Sequence, residues 1–411
     1  MLPVRINTAH LEKGFLSYLS GMLRFFRLSL VLFTLSAHAQ SPLPDFMVGR
    51  TNGVLPYLEY GLGSDRLGGA KMTYLDTGIL VKVIDSTIIN YKVQLSANHL
   101  AYLPKTSFIR YDSLITAPYY LSNSWKVWGD DRYDYVVLPL EEKLPYRSIQ
   151  QISPSRIVVE VFGVTNNTNW ITQLSSAKEI KNVYHEQPED DLFRIIIELK
   201  HPQHWGYHIY YDNRKLVIRI KRQPTYLQLQ HMRVAVDAGH GGDNNGASGK
   251  QTKILEKNYT LLIAKELQQA LLEEKAAVLM TREKDTSYNM PDRIMMLQQE
   301  DPDFLISIHL NSSSKDSIRG TSTYYRYIGF RPLSQYIYKE MLKLGLPEFG
   351  NIGSFNFALS GPTQYPNCLV EVAFLSNKED EQLIKDPLFR KDVAKAIVAG
   401  IKAWLKSCEG D

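Results

Sequence analysis

Short apolar runs bounded by turn-forming residues dominate the chain between residues 70 and 105. The runs cover residues 73–75, 79–84, 88–95 and 101–104, with glycine, aspartate, serine or asparagine between them. Short strands at this spacing are typical of small all-β domains. The pattern therefore predicts a small β-barrel in this part of the chain.

A second set of β-type runs follows. Two long runs, at 155–162 and 193–199, resemble each other, with R-I-V-V-E-V in the first and R-I-I-I-E-L in the second. Two further runs, at 205–211 and 215–220, flank a D-N pair, which favours a hairpin. The similarity of the two long strands suggests two related sheets, packed as a β-sandwich.

From residue 232 onward the pattern changes to apolar strands that alternate with amphipathic helices. Runs at 234–236, 304–312 and 368–377 predict buried strands. Apolar stripes over 259–275 and 392–404 predict helices. This alternation is typical of an α/β domain. The predicted fold is thus a mostly parallel or mixed sheet covered by helices, preceded by two small all-β domains.

The start of the chain carries a targeting pattern. Two arginines precede an apolar run at 28–35, and A-H-A follows it. A positive start, a short apolar segment and an A-x-A site are typical of a secretory signal peptide, and the run is too short to span a bilayer as a helix. We predict a signal peptide over residues 1–39, with Met22 as an alternative true start. A membrane anchor or a buried helix is the alternative interpretation.

The composition says little about binding partners, but the number of cysteines limits the disulfides that the fold could contain. A chain of 411 residues suits about two to four domains, and a formal net charge of +4 gives no indication of a nucleic-acid partner. Export implies a compartment that tolerates disulfides. The only two cysteines are Cys368 and Cys408, so no disulfide framework supports the fold. A single disulfide between them is one alternative. We expect instead that Cys368 is buried at a strand start and that Cys408 lies in a loose tail.

Three polar residues of the last domain stand at the boundaries of its predicted elements, and a fourth lies inside an apolar run. His240 follows the first strand inside a D-A-G-H-G-G turn, Glu256 precedes the first helix, and His309 ends the second strand. Two histidines and one carboxylate suit a zinc site that leaves one position for water. Glu371, inside the third strand, is then a candidate for the base that takes a proton from that water.

Each of these residues also has a structural interpretation. His240 would be incidental to a glycine turn, Glu256 would stabilise a helix start through the helix dipole, and Glu371 would form a buried ion pair, because an unpaired buried carboxylate is costly. A three-histidine site would need His231, at the opposite end of its strand from His240. Three further histidines have no acidic or cysteine partner spaced to join them, so we expect them at the surface or in packing: His201, His204 and His208.

The segment from about residue 232 to residue 406 resembles the zinc-dependent N-acetylmuramoyl-L-alanine amidases of the amidase 3 type. The family's D-P-G-H-G-G turn, G-x-x-E-K segment, S-I-H-x-N strand end and V-E-x-x-F-L-S-N strand correspond to residues 237–242, 254–257, 307–311 and 370–377. A T-R pair (Thr281 and Arg282) and a D-R pair (Asp292 and Arg293) also match.

The chain departs from this family pattern in three places. Ala238 stands where proline is usual, and Lys253 and Ile254 stand where the glycine is expected. Arginines that the family often has between residues 348 and 360 are missing. The last departure bears on substrate contacts more than on metal ligands.

The resemblance implies a catalytic domain over residues 231–408 in which His240, Glu256 and His309 hold Zn²⁺ and Glu371 is catalytic. The implied reaction is hydrolysis of the amide bond between the lactyl group of N-acetylmuramic acid and L-alanine in peptidoglycan, for cell-wall remodelling and daughter-cell separation. Two alternatives stay open, a non-catalytic peptidoglycan-binding protein and a zinc peptidase that acts on stem peptides.

Two further resemblances concern the β modules. Residues 48–125 resemble a bacterial SH3-like module, and residues 130–223 are similar to AMIN domains, which precede many such amidases and help to target them to the cell wall. These resemblances imply peptidoglycan as a partner and make cell-division proteins candidate partners of the N-terminal modules. We expect no nucleic acid, no membrane span after signal cleavage, and a periplasmic location.

Two finer expectations complete the hypothesis. Asp237 or Asn311 is expected to orient a metal-binding histidine through a hydrogen bond to the ring nitrogen that does not bind the metal. Capping of the turn is the alternative role for Asp237. Residues 312–318 form a short polar loop, which leaves little room for the helical insertion that blocks the site in some members of the family.

Overall fold

The computed structural model describes residues 46–64, 67–112, 114 and 116–410. The signal peptide predicted over residues 1–39 lies outside these residues. From Met47 onward the chain forms one compact unit. Within the described part of the chain, no helix combines the length and the apolar character needed to cross a bilayer.

The first module is an antiparallel sheet of seven short strands in the order β3-β2-β6-β5-β4-β1-β7. Its two edge strands, β3 and β7, pair only with β2 and β1. The run predicted at 88–95 begins as a strand only at Asn90, because Ile88 and Ile89 lie exposed at the hairpin tip. The strands are β1 Met47–Thr51, β2 Tyr57–Glu59, β3 Lys71–Tyr74, β4 Leu80–Ser86, β5 Asn90–Gln94, β6 Leu100–Pro104 and β7 Phe108–Arg110.

The second module pairs a five-stranded sheet, β14-β9-β10-β18-β17, with a four-stranded sheet, β11-β12-β16-β15. Buried residues of both sheets belong to one hydrophobic cluster, which also contains the core of the first module. The strands are β8 Tyr120–Leu121, β9 Trp125–Gly129, β10 Tyr133–Pro139, β11 Tyr146–Ile152, β12 Ser155–Phe162, β13 Val164–Thr165, β14 Ile171–Gln173, β15 Ile180–Glu189, β16 Leu192–Leu199, β17 Tyr207–Asp212 and β18 Lys215–Lys221.

The two similar long strands, β12 and β16, are neighbours in one sheet, so the prediction that they belong to two related sheets is wrong. They run antiparallel, with Arg156 opposite Glu198 and Glu160 opposite Arg194. Both pairs form ion pairs, at 2.5 and 2.8 Å. The repeated R…E pattern thus forms cross-strand ion pairs, because antiparallel pairing places each arginine opposite the glutamate of the other strand.

The third module contains a six-stranded mixed sheet in the order β20-β19-β21-β24-β22-β23. The first four strands of this order are parallel, and β22 runs antiparallel to β24. The elements are β19 Arg233–Ala238, α1 Glu256–Glu273, β20 Ala277–Met280, α2 Met290–Glu300, β21 Phe304–Asn311, β22 Thr321–Tyr324, α3 Arg331–Leu342, β23 Glu348–Ile352, β24 Asn367–Phe374, α4 Lys378–Lys385 and α5 Pro387–Ser407.

Three of these helices begin at side chains that cap the backbone. Asn289, Asn377 and Asp386 accept hydrogen bonds from the first N–H groups of α2, α4 and α5. Such caps satisfy donors that have no partner within the helix. α5 also has proline at its first position, where the missing N–H costs nothing.

Alternation along the central strands separates the core from the functional face. Val234, Val236 and Ile308 join the main cluster with α1, α3 and α5, whereas Ala235 and Leu305 face α2 on the other side. Successive side chains of a strand point to opposite faces. Residues in step with Ala235 and Leu305 therefore lie on the α2 side, and among them are Asp237 and His309.

Trp205 of the second module is buried in the core of the third module. The rings of Trp205 and Trp404 lie 5.1 Å apart, and Trp404 donates a hydrogen bond to Gln203 at 2.9 Å. Leu227 and Leu229, from the connection between the modules, are buried in the same cluster. The connection therefore packs into the third module and fixes how the two modules meet.

The expectation of a loose tail around Cys408 is also wrong. Cys408 is buried directly after α5, where its Sγ contacts the Trp404 carbonyl. Cys368 is buried in β24 as expected, and both residues are thiols, not a disulfide. Burial raises the pKa of the Cys368 thiol to about 12, because the thiolate is poorly solvated there.

We expect Trp404→Ala to lower the free energy of unfolding by about 3–5 kcal/mol, because it removes a fully buried indole at the joint of two modules. Denaturant titration measures this change. The matched control is Trp170→Ala, since Trp170 is 64% exposed and should change stability by less than about 0.5 kcal/mol. Equal effects of the two variants would contradict a shared core.

Candidate metal centre

His240 lies in the turn that follows β19, with a positive φ of 63°. Two arginines hold the backbone of this turn. Arg282 donates to the carbonyls of Ala238 and Gly239, and Arg293 donates to those of Ala238 and His240. The T-R and D-R pairs noted in the sequence therefore act on the turn that presents the histidine.

Asp237, below the turn, accepts several hydrogen bonds from other elements of the module. Its carboxylate is fully buried and forms an ion pair with Arg293 at 2.7 Å. It also accepts hydrogen bonds from Thr281 at 2.7 Å and from Ser307 at 2.6 Å. Burial acts to raise the pKa of Asp237, but Arg293 and the hydroxyl donors outweigh it, so the pKa is lowered.

The residue that orients His240 is Asn244, which the sequence analysis missed. Its side-chain oxygen lies 2.9 Å from Nδ1 of His240 and also accepts from the Gly246 N–H. Since this oxygen only accepts, Nδ1 carries the proton and Nε2 is left to bind a ligand. The hydrogen bonds of Asp237 go to Arg293, Thr281 and Ser307, and those of Asn311 to Tyr324 and Ser312, so neither expected residue takes this role.

Glu256 is the first residue of α1 and is 96% buried. Its Oε1 accepts from the Leu310 N–H at 3.0 Å, and its Oε2 accepts from the Ala247 N–H at 2.7 Å. A carboxylate at a helix start is also favoured by the helix dipole. Two backbone donors therefore fix the carboxylate before any ligand binds.

The structure brings His240, Glu256 and His309 together. Nε2 of His240 and Nδ1 of His309 each lie 3.0 Å from Oε1 of Glu256. The two imidazole rings meet edge to face, with their centroids 4.9 Å apart. Among the described residues, this is the one group of histidine, cysteine and acidic side chains close enough to hold a metal ion.

The spacing around the cluster depends on two glycines. A Cβ at Gly239 would lie 2.5 Å from the His309 ring, and one at Gly246 would lie 2.7 Å from the His240 ring. Only glycine leaves these rings where they are. The backbone of both loops is thus packed directly against the candidate ligands.

Three ligand atoms, two nitrogens and one oxygen, lie within 4.8 Å of one another. This donor set suits zinc, which binds imidazole and carboxylate with a fourth position open in catalytic sites. Nε2 of His309 is buried and has no hydrogen-bond partner among the described residues, so the protein alone leaves this centre incompletely satisfied. The residues therefore fit a bound divalent ion.

Glu371 lies beside His309 on the neighbouring strand. The two residues are in register between β21 and β24, which run parallel, so their side chains lie on the same face of the sheet. Glu371 is partly buried. Its negative charge acts, after that of Glu256, to raise the pKa of His309.

The charges within the cluster shift the pKa values of Glu256 and His309. Burial acts to raise the pKa of Glu256, but the hydrogen bonds with His240 and His309 outweigh it and lower the pKa. Burial acts to lower the pKa of His309, but Glu256, Glu371 and Asp237 raise it above its ordinary value. The negative charges of the site thus favour a cation at its centre.

Aromatic side chains form one wall of the site. The Phe357 ring stands edge-on to His309 at 5.3 Å, and the Phe355 ring packs on Tyr324 at 4.5 Å. Tyr324 in turn lies within hydrogen-bonding distance of the Asn311 amide, at 3.4 Å. On another side, residues 312–320 form no helix, so no helical insertion follows β21.

The comparisons with known proteins agree with this geometry. Residues 234–403 match the family model described as N-acetylmuramoyl-L-alanine amidase, and residues 124–220 match that of the AMIN domain. Residues 234–403, which match the amidase model over somewhat less than half of the chain, are referred to below as the amidase domain. This amidase domain contains every candidate residue of the metal centre.

A curated relative is similar to part of this chain. The probable cell wall amidase LytH of Staphylococcus aureus is 34% identical over 180 residues, which cover 44% of this chain and 60% of LytH. The chain thus spans about 60% of the length of the curated relatives that it matches.

Two solved structures also align with the amidase domain. The catalytic domain of CwlV, an amidase from Bacillus (Paenibacillus) polymyxa var. colistinus, is 32% identical with a TM-score of 0.41 and covers 43% of this chain and 98% of its own. An amidase from Clostridium difficile 630 is 30% identical with a TM-score of 0.42 and covers 43% of this chain and 97% of its own.

We expect Gly239→Ala to lower the free energy of unfolding by about 1–3 kcal/mol, because the added methyl group meets the His309 ring. Denaturant titration tests this. Gly61→Ala is the control, since a Cβ at Gly61 meets nothing within 4 Å. A Gly239→Ala variant as stable as Gly61→Ala would show that the loop does not press on the histidine.

Proposed function

We propose that this protein hydrolyses the amide bond between the lactyl group of N-acetylmuramic acid and L-alanine in peptidoglycan. The observation that carries the proposal is the convergence of His240, Glu256 and His309, with Glu371 beside them, inside a domain of the amidase family. These residues come from four separate elements of the fold. Ordinary packing gives no reason to place two imidazoles against a buried carboxylate at the carboxyl ends of central strands.

We assign His240, Glu256 and His309 as the ligands of a zinc ion. When bound, zinc supplies a Lewis acid that polarises the scissile carbonyl and lowers the pKa of water. The chain's own part is to hold the ligands ready. Asn244 keeps the proton of His240 on Nδ1, and two backbone N–H groups fix the Glu256 carboxylate. Such fixed partners reduce the reorganisation that binding requires.

We assign Glu371 as the general base and then the general acid. Its carboxylate takes a proton from the attacking water, whose oxygen forms the new bond to the carbonyl carbon. When the C–N bond breaks, the same group passes that proton to the leaving amino group of L-alanine. The position of Glu371 beside His309 supports this assignment.

The family and its cell-wall substrate point to action outside the cytoplasm. We place this protein in the periplasm, after removal of the signal peptide predicted over residues 1–39. The two β modules, the second of which matches the AMIN family, are proposed to hold the enzyme at peptidoglycan and to contact cell-division proteins. Cell-wall remodelling and daughter-cell separation are the proposed roles.

Digestion of purified peptidoglycan, followed by mass analysis of the products, tests the reaction. We expect intact stem peptides with a free L-alanine amino group, together with glycan chains that carry free lactyl groups. Addition of a chelator should abolish product formation, and zinc should restore it. Shortened stems on intact glycan would instead identify a peptidase, and no product at all would identify a wall-binding protein.

Glu371→Gln should lower kcat by about 10²–10⁴-fold, because the amide cannot accept the proton. Zinc content, measured by elemental mass spectrometry, should stay at the wild-type level, whereas His309→Ala should lose zinc. The control is Glu379→Gln at an exposed position on α4, with no expected change in rate. Full activity of Glu371→Gln would remove Glu371 from the mechanism.

A further inference from the structure

We propose that the first module holds one wall of the amidase site in place, with Asn356 as the positioning residue that connects them. The wall is the segment from residue 353 to residue 361. This inference rests on the proposed function, since the wall matters to catalysis only if the site is catalytic. It gives the first module a role in the reaction that does not depend on binding the cell wall.

The wall segment faces the metal centre with two aromatic rings. The ring centroids of Phe357 and His309 lie 5.3 Å apart, and those of Phe355 and Tyr324 lie 4.5 Å apart. Both phenylalanines are partly exposed. The two rings stack at 6.3 Å. The position of this segment therefore bears directly on a candidate zinc ligand and on the space beside it.

Between these two rings, Asn356 turns to the first module. Its Oδ1 accepts from the Lys71 N–H at 3.1 Å, and its Nδ2 donates to the Gly69 carbonyl at 2.8 Å. Arg326 donates to the same Oδ1 at 2.9 Å and also donates to the Lys71 carbonyl. One side chain thus satisfies both a donor and an acceptor of the first module's backbone.

The partner of Asn356 is the edge of a sheet. Lys71 begins β3, which among the described strands pairs only with β2, so that no described strand lies on its other side. An edge strand presents N–H and C=O groups that need partners. The asparagine amide carries the same two groups as a peptide unit, so it pairs with this edge as a neighbouring strand would.

A second contact fixes the far end of the wall. The Tyr74 hydroxyl, at the end of β3, reaches the Ala358 carbonyl at 3.4 Å, and the Tyr327 hydroxyl donates to the Gly361 carbonyl at 2.7 Å. A Cβ at Gly361 would lie 2.7 Å from the Tyr74 ring. The first module therefore contacts the wall at two separate points along β3.

Backbone bonds alone hold the wall weakly. Phe355 donates to the Tyr325 carbonyl at 3.1 Å, while the N–H groups of Ser360 and Gly361 bond within the segment itself. Loops with few hydrogen bonds to the rest of the fold open readily. Leu359 and Ser360, near the far end of the segment, are buried within the third module. The side-chain bonds to β3 therefore bear mainly on residues 353–358.

The test compares Asn356→Ala with wild type in the full chain, using hydrogen exchange and kinetics on a soluble muropeptide. We expect exchange of amides in residues 353–361 to become about tenfold faster, with β21 and β24 unchanged. We expect kcat to fall about tenfold and KM to change much less, because the Phe357 support of His309 is loosened. Zinc content and the melting temperature should stay close to wild type.

Asn98→Ala is the matched control. Asn98 is an exposed asparagine of the first module that donates to Glu189 in the second module at 3.0 Å. Its truncation removes a bond between modules but leaves β3 and the wall intact. It should change neither the exchange of residues 353–361 nor kcat.

Two outcomes would overturn the inference. The first is unchanged exchange of residues 353–361 in Asn356→Ala, and the second is an equal change in Asn98→Ala. An inactive wild-type protein would instead count against the proposed function. Because the exchange measurement needs no turnover, it would still decide whether the first module holds the wall.

Discussion

The ion pair between Asp237 and Arg293 is the interaction on which the metal centre depends. Both side chains are at most 2% exposed, and loss of one partner from such a pair costs about 3–5 kcal/mol, because the other charge is left buried and unpaired. Asp237 is the last residue but one of β19, and Arg293 lies on α2. The pair therefore ties the strand before His240 to the helix that covers the same face of the sheet. Through its contact with the His240 carbonyl, Arg293 carries this constraint into the turn itself.

The sheet topology explains why the ligands meet where they do. β19 has β20 on one side and β21 on the other. The connections that leave β19 and β21 therefore lead to opposite sides of the sheet's centre. Loops after such strands diverge and leave a crevice at their carboxyl ends. His240 follows β19 and His309 lies near the end of β21, while Glu256 reaches the crevice from the start of α1. Each ligand has its own element, and each element is anchored in the core.

Much of this arrangement could be predicted from the sequence, because it depends on local patterns. Apolar runs located the central strands, polar residues at the ends of two of them located His240 and His309, and a single carboxylate inside the third located Glu371. Asn244 could not be recognised as the partner of His240, since a G-G-D-N-N-G turn offers several side chains and only its backbone conformation selects one. Nor could the pairing of β12 with β16 be predicted, because strand register is a long-range property.

The burial of Cys408 was missed for a related reason. The apolar stripe of α5 showed that the helix packs, but not that the turn after it packs as well. Asn356 is a further case. Its neighbours in the sequence indicate an ordinary loop, and its partners at Gly69 and Lys71 are more than 280 residues away. Contacts between modules leave no periodic signal, so a reading of local patterns does not find them.

The two sides of the site are therefore held by different means. Glu256 and His309 are buried and fixed by the sheet and by backbone N–H groups, so their geometry is set within the amidase domain. The opposite wall is a loop whose first part also contacts a sheet edge in another module, through Asn356 and Tyr74. A substitution on β3 would move Phe357 and Phe355 without touching a ligand. The fold thus separates the residues that perform the chemistry from those that shape the space beside it, and the first module bears on His309 indirectly, through Asn356 and the Phe357 ring.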